Sequence, residues 1–154
     1  MLVDAHIHKL FTELEVVWRS REYSKMRSFW VKSLEAPLYL PEERKDFITS
    51  WAQFDEYFVG NAKAMRDIIV TYQPLTVMPL SQSQKIVAFA LEWTTQIVNE
   101  TKPIGGSVRG VAVIENEAGT WKLRSYIEAP LAPIMYMREL YETVAKERGF
   151  KQIP

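Results

Sequence analysis

The chain has 154 residues, 19 basic and 19 acidic side chains, no cysteine and 12% aromatic residues. A chain of this length buries roughly 68–70% of its unfolded surface as one domain, so it needs no disulfide or metal staple, and without cysteine it offers no thiolate metal site. Balanced charge gives no footprint for nucleic acid or an anionic membrane, and the longest apolar stretch, residues 86–91, is far short of the ~20 residues a membrane span needs.

Residues 1–10 carry acid and histidine where a secretory leader needs a basic flank and an apolar run. With the lack of cysteine, this gives the expectation of a cytoplasmic protein. Residues 4–21 read as a first helix, because Leu10, Phe11, Leu14, Val17 and Trp18 recur at three- and four-residue spacing. Asp4 stands where an N-cap or first-turn acid complements the helix dipole. Residues 23–33 predict a second, shorter helix with Met26, Phe29 and Trp30 apolar. Pro37 and Pro41 then forbid a continuous helix, and Leu38, Tyr39 and Leu40 alternate as a short edge strand would. Pro41, Glu42 and Glu43 predict the start of a third helix, with Phe47, Ile48, Trp51, Phe54 and Phe58 on its apolar face and Gly60 at its end.

From there the period falls to two. Strands are expected over 67–77, 84–98, 107–115 and 120–128, joined by turns, which favours antiparallel neighbours. Gly105, Gly106 and Gly119 are expected in turns, whereas Gly110, inside a strand, predicts a bulge or a close backbone approach. A last helix is expected over 133–148, with Ile134, Met137, Leu140, Tyr141 and Val144 as its stripe and Gly149 beyond it. The fold class is therefore α+β, with three N-terminal helices packed on a curved antiparallel sheet, plus a C-terminal helix.

The stretch 105–133, GGSVRGVAVIENEAGTWKLRSYIEAPLAP, resembles the last hairpin of SnoaL-like domains in the nuclear transport factor 2-like (cystatin-like) superfamily. Arg109 early in one strand, Gly119 in the turn and Trp121 opening the next strand carry the likeness. It extends over residues 1–129, while 130–154 resembles the extension of a bacterial subgroup. The resemblance implies a single cone-shaped domain whose hollow takes a small apolar molecule, and a homodimer joined by the sheet. Many relatives place histidine and then serine or threonine late in the last strand, where this chain has Ile127 and Ala129. The acid base of steroid-isomerase-like relatives has no evident counterpart.

Arg109 would share a strand face with Val111 and Val113, either as a clamp for a carboxylate or enolate in the pocket or as an ion-paired or solvent-facing charge. Glu92, beside Ala88, Ala90 and Thr94 on its face, reads as a pocket base or as a solvated outer residue. Trp30, Tyr39, Trp51, Tyr57, Trp93 and Trp121 are the rings that would line the cone or fill the core, and Tyr39 lies nearest the expected opening. Ser125, sharing a face with Trp121, Leu123 and Ile127, offers a hydroxyl to a ligand, with no histidine partner for a nucleophile. Lys122, Arg124, Tyr126 and Glu128, with Tyr72 and Thr76, would form the outer, dimerising face. His6 and His8 diverge on a helix, so no metal site is expected. Gly105 and Gly106 lead into a strand, not a helix, which rejects a phosphate loop, and no cofactor is expected. Three functions remain open at this point: a small-molecule-binding domain, an enzyme moving a proton on a polyketide-, steroid- or terpenoid-like substrate, and an interaction module with a filled cone.

Overall fold

A computed structural model describes residues 4–130 and 134–149. Helix α1 spans Ala5–Ser20, capped by Asp4, whose carboxylate accepts from the backbone N–H of His6 and of Ile7, both at 3.0 Å. Arg21 closes it in a left-handed conformation, φ 60°, donating its N–H to Trp18. The expected stripe is the buried face, joined by Ile7. The second segment is a 3-10 helix over Tyr23–Phe29, shorter than the predicted helix. It ends because Trp30 turns extended and pairs with Leu123, and Val31 N–H donates to the Leu123 carbonyl at 3.0 Å.

Strand β1, Leu38–Leu40, is an edge strand, but it runs parallel to its neighbour, placing Tyr39 beside Tyr126. The third helix departs most from expectation. Helix α2 spans Trp51–Ala64 and starts about ten residues later than the proline and acids suggest. Its cap is Ser50, whose hydroxyl accepts from Gln53 N–H at 3.2 Å, while the Gln53 amide oxygen accepts from Thr49 N–H at 3.0 Å. The preceding residues are claimed by a bridge: Tyr39 and Ile48 exchange both backbone hydrogen bonds, at 3.1 and 2.8 Å. That bridge closes residues 41–47 into a loop. Phe47 is thereby left exposed, and Gly60 lies within the helix instead of ending it.

Four long strands follow: β2 Met65–Pro79, β3 Gln84–Ile97, β4 Ile104–Glu117 and β5 Thr120–Pro130. They form an antiparallel meander with β1 on its flank, in the order β1-β5-β4-β3-β2. Ala118 and Gly119 make the last turn, both at positive φ, as a two-residue hairpin of this hand requires. Gly105 and Gly106 belong to β4, opposite Thr94 and Trp93, and not to a turn. Bulges interrupt β2 near Pro74 and the β4–β5 pair at Val113/Ile114, and such bulges bend and coil a sheet. The five-stranded sheet is curved, α1 crosses it, and the hollow between them holds the core.

Helix α3 covers Ile134–Glu147, with Gly149 beyond it at φ 74°. Leu140 and Tyr141 of its expected stripe stand exposed, and Pro133 lies outside the described residues. Among the described residues no helix is long and apolar enough to cross a membrane.

Candidate functional site

The bulge between β4 and β5 decides what faces the hollow. Val113 pairs with Ser125 and Ile114 with Leu123, so Arg124 is the extra residue. Strict alternation from Trp121 would send Tyr126 and Glu128 outward. The extra residue shifts the phase, and β5 instead turns Trp121, Leu123, Tyr126 and Glu128 to the inner side. Tyr72, on the inner face of β2, joins them, so the expected outer grouping of Tyr72, Tyr126 and Glu128 lies on the opposite side of the sheet.

Glu128 opens on a cavity of about 250 Å³, just under the ~300–1,000 Å³ of typical ligand pockets. Its walls are largely apolar: Tyr39 from β1, Ile68 and Val70 from β2, Leu91 and Trp93 from β3, and Trp18 and Tyr57 from helices α1 and α2. The closed 41–47 loop brings in Glu42 and Glu43, and α2 brings in Asn61. Each carboxylate is held by an aromatic donor. The Trp93 indole N–H donates to Glu42 Oε1. The Tyr57 hydroxyl donates to Glu43 Oε1 at 2.7 Å. Glu128 Oε1 accepts from Tyr126 at 2.6 Å, and its Oε2 accepts from Glu42 N–H at 2.9 Å. Behind Glu128 the chain continues, with the Tyr126 and Tyr72 hydroxyls 3.0 Å apart.

Burial pushes the Glu128 carboxyl up to about 7, and the charges of Glu43 and Glu42 push the same way, against the hydrogen bonds from Tyr126 and Glu42 N–H. Burial also raises Glu42, opposed by the Trp93 indole. Tyr126 is held well above the usual phenol range by burial and then by the Glu128 charge. Burial is likewise the first cause for Tyr57, with Glu43 the second. No phenol here ionises near neutrality; the proton available near pH 7 is that on Glu128.

Of the residues singled out from the sequence, Tyr39, Tyr57 and Trp93 line this cavity. Trp30 is buried against Tyr39, Trp51 and Phe54 as core. Trp51 donates its indole N–H to the Leu34 carbonyl at 3.2 Å, outside the cavity. Trp121 lies far along β5 with the Lys85 ammonium 4.7 Å from its ring centroid. Arg109, Glu92 and Ser125 are on the outer side: Arg109 pairs with Ala90 and Ala129, Glu92 with Thr71 and Ser107, and Ser125 with Val113. Arg109 and Glu92 are exposed there, so neither reaches the cavity as clamp or base. His6 and His8 are exposed on α1, and among the described residues no three histidine, aspartate or glutamate side chains form a metal-holding group.

The sequence reading put Glu128, Tyr126 and Tyr72 on the outer face, took Glu42 and Glu43 for a helix start, and did not single out Asn61 for the site. A tyrosine and a glutamate two apart late in a strand are a visible pair, but placing them needs the bulge, which no glycine or proline marks.

Comparison with solved structures gives the same architecture. A protein assigned as a scytalone dehydratase from Novosphingobium aromaticivorans superposes with a TM-score of 0.73 at 9% identity, covering 82% of this chain and 83% of that one. A hexachlorocyclohexane dehydrochlorinase from Novosphingobium barchaimii gives 0.67 at 13% identity, covering 83% and 86%. A ketosteroid isomerase-like protein from Erwinia carotovora gives 0.68 at 11% identity, covering 84% and 96%. No protein-family model and no curated protein sequence matches the chain. At these identities the likeness is one of fold: the chain is an α+β domain with the nuclear transport factor 2-like fold.

Proposed function

We propose that the cavity binds a small, largely apolar molecule and that Glu128, in its ionised form, takes a proton from it. The observation that carries this reading is a buried carboxyl, poised at about 7, opening on an apolar cavity. A general base works best when its pKa lies near the working pH, because it is then both ionised and basic. The surroundings supply that tuning by desolvation and by neighbouring acids. Tyr126 fixes one oxygen and Glu42 N–H the other, so the carboxyl is oriented while each oxygen keeps a lone pair for the ligand. The neighbours named as dehydratase, dehydrochlorinase and isomerase support the reading by chemistry, since elimination of water or hydrogen chloride removes a proton from carbon.

Ring opening of 5-nitrobenzisoxazole, which needs only a base in an apolar site, is the test. The wild-type chain is expected to give a saturable rate whose kcat/KM rises with pH through a midpoint near 7 and then levels off. A rate without that midpoint, or one that survives Glu128→Gln, contradicts proton transfer at Glu128 and leaves ligand binding alone.

We also propose that two copies associate through the outer sheet face. Ile69, Leu75 and Val111 are exposed on it, with Ala88 and Ala90 between them, and an apolar face of this kind is suited to a copy of itself. Sedimentation is expected to show a dimer for the wild type and a monomer for Val111→Glu. A wild-type monomer at micromolar concentration contradicts it.

A further inference from the structure

We infer that the ligand of this cavity carries a positive charge: an apolar body bearing a protonated or quaternary amine, its nitrogen beside Glu42 and Glu43. The inference rests on the reading of the cavity as a small-molecule site. It follows from what surrounds the space. Three carboxyl groups, Glu42, Glu43 and Glu128, line it, and among the described residues no lysine, arginine or histidine does. Among the described residues none of the three makes a salt bridge. Elsewhere in the chain acids do meet cations, as Glu115 meets Arg124 at 2.5 Å and Asp4 meets Lys85 at 3.3 Å. Glu42 and Glu128 are half-buried and Glu43 stands exposed at the rim. A carboxylate partly withdrawn from water with no counter-charge is costly, and the joint field of the three lowers the energy of a cation entering between them.

The walls agree with the charge. Trp93, Tyr39 and Tyr57 border the same space, and aromatic faces attract ammonium groups through their quadrupoles. The aromatic N–H and O–H donors of Trp93 and Tyr57 already point at Glu42 and Glu43, which fixes both carboxylates without neutralising them. Asn61 gives an independent sign of a missing partner: it is only 8% exposed, it lines the cavity, and its amide nitrogen, although near the Tyr57 hydroxyl, makes no hydrogen bond of good geometry. A buried donor left unpaired is rare, and an acceptor on the ligand's body, separate from its cationic nitrogen, would satisfy it. An anionic ligand would instead meet carboxylates of its own charge. A bare metal ion lacks the converging ligand group it needs among the described residues.

The test compares three probes of matched size on the full chain by calorimetry: phenethyltrimethylammonium, its neutral isostere (3,3-dimethylbutyl)benzene, and phenylpropionate. The cation is expected to bind at least tenfold more tightly than the neutral isostere, and phenylpropionate not at all. The Glu42→Gln/Glu43→Gln variant keeps acceptors for Trp93 and Tyr57, and in it the ratio of cation to neutral affinity should fall to about one. A neutral probe that binds as tightly as the cation, or a preference that survives in the double variant, overturns the inference while leaving the cavity a binding site. Failure of all three probes to bind removes the cavity reading, and the inference with it.

Discussion

Replacing Glu128 by glutamine is expected to remove base catalysis and, at alkaline pH, to make the protein more stable. Glutamine keeps the shape and can satisfy both contacts: its oxygen takes the Glu42 N–H, and its amide donates to the Tyr126 hydroxyl. It cannot accept a proton, so the ring-opening rate should fall by roughly 10²–10⁴, the usual worth of a positioned base. In the wild type the folded-state pKa, about 7, lies above the ordinary carboxyl value of 4.5. The stability belonging to the buried, protonated carboxyl is therefore fully present below about pH 4.5 and is lost as pH rises through about 7. Over that window the wild type should lose stability of about 3 kcal/mol, an upper figure for a group still in contact with the cavity. Glutamine has no such loss. Urea midpoints at about pH 5 and about pH 8 check this. The wild type should weaken between them relative to the variant, and a variant that instead loses ground at the higher pH contradicts the assignment. A residue that costs stability where it is needed for chemistry is the familiar stability–activity conflict.

Gly110→Val should be the most damaging single change to the frame that holds the site. Gly110 lies on the inner face of β4 opposite Phe89, and a Cβ placed there falls within the Phe89 ring. Phe89 is 1% exposed and packs against Phe11, Tyr72 and Tyr126, with ring centroids 5.1–5.6 Å away. It has nowhere to go without moving the two tyrosines behind Glu128. Overpacking of this kind costs about 1–3 kcal/mol for one added methyl, and a branched side chain should exceed ~3 kcal/mol. Gly110→Val/Phe89→Ala should recover part of the loss, because the deleted ring vacates the space the new methyls occupy. Chemical denaturation of the two variants decides the matter. A Gly110→Val protein within ~0.5 kcal/mol of the wild type shows that the ring does not occupy that space.

The strongly periodic elements were legible from the residues, and the site mostly was not. Helix α1 has both a sharp apolar stripe and an aspartate cap, so its local and tertiary preferences agree. The four strands follow from period two and the last turn from Gly119, whereas Gly105 and Gly106, expected in a turn, lie in β4. The α2 start was hidden because Pro41, Glu42 and Glu43 suit a helix N-terminus, while the Tyr39–Ile48 bridge is a pairing that local signals do not report. Arg109 and Glu92 sit on the expected strands but the other face. Val108 and Ala112 on one side of β4 are matched by Val111 and Val113 on the other, so alternation alone does not say which side is inside. Glu128 was lost to a single extra residue, Arg124. The same bulge that bends the sheet also turns Glu128 toward the cavity, so the curvature and the site have one origin.

A carbon-13 titration of the glutamate side-chain carboxyls measures the central quantity directly. One resonance, absent from Glu128→Gln, should titrate with a midpoint near 7, well above the ordinary range of about 4–5. If every glutamate titrates within that ordinary range, Glu128 is not a desolvated base and the proposed chemistry of the cavity fails.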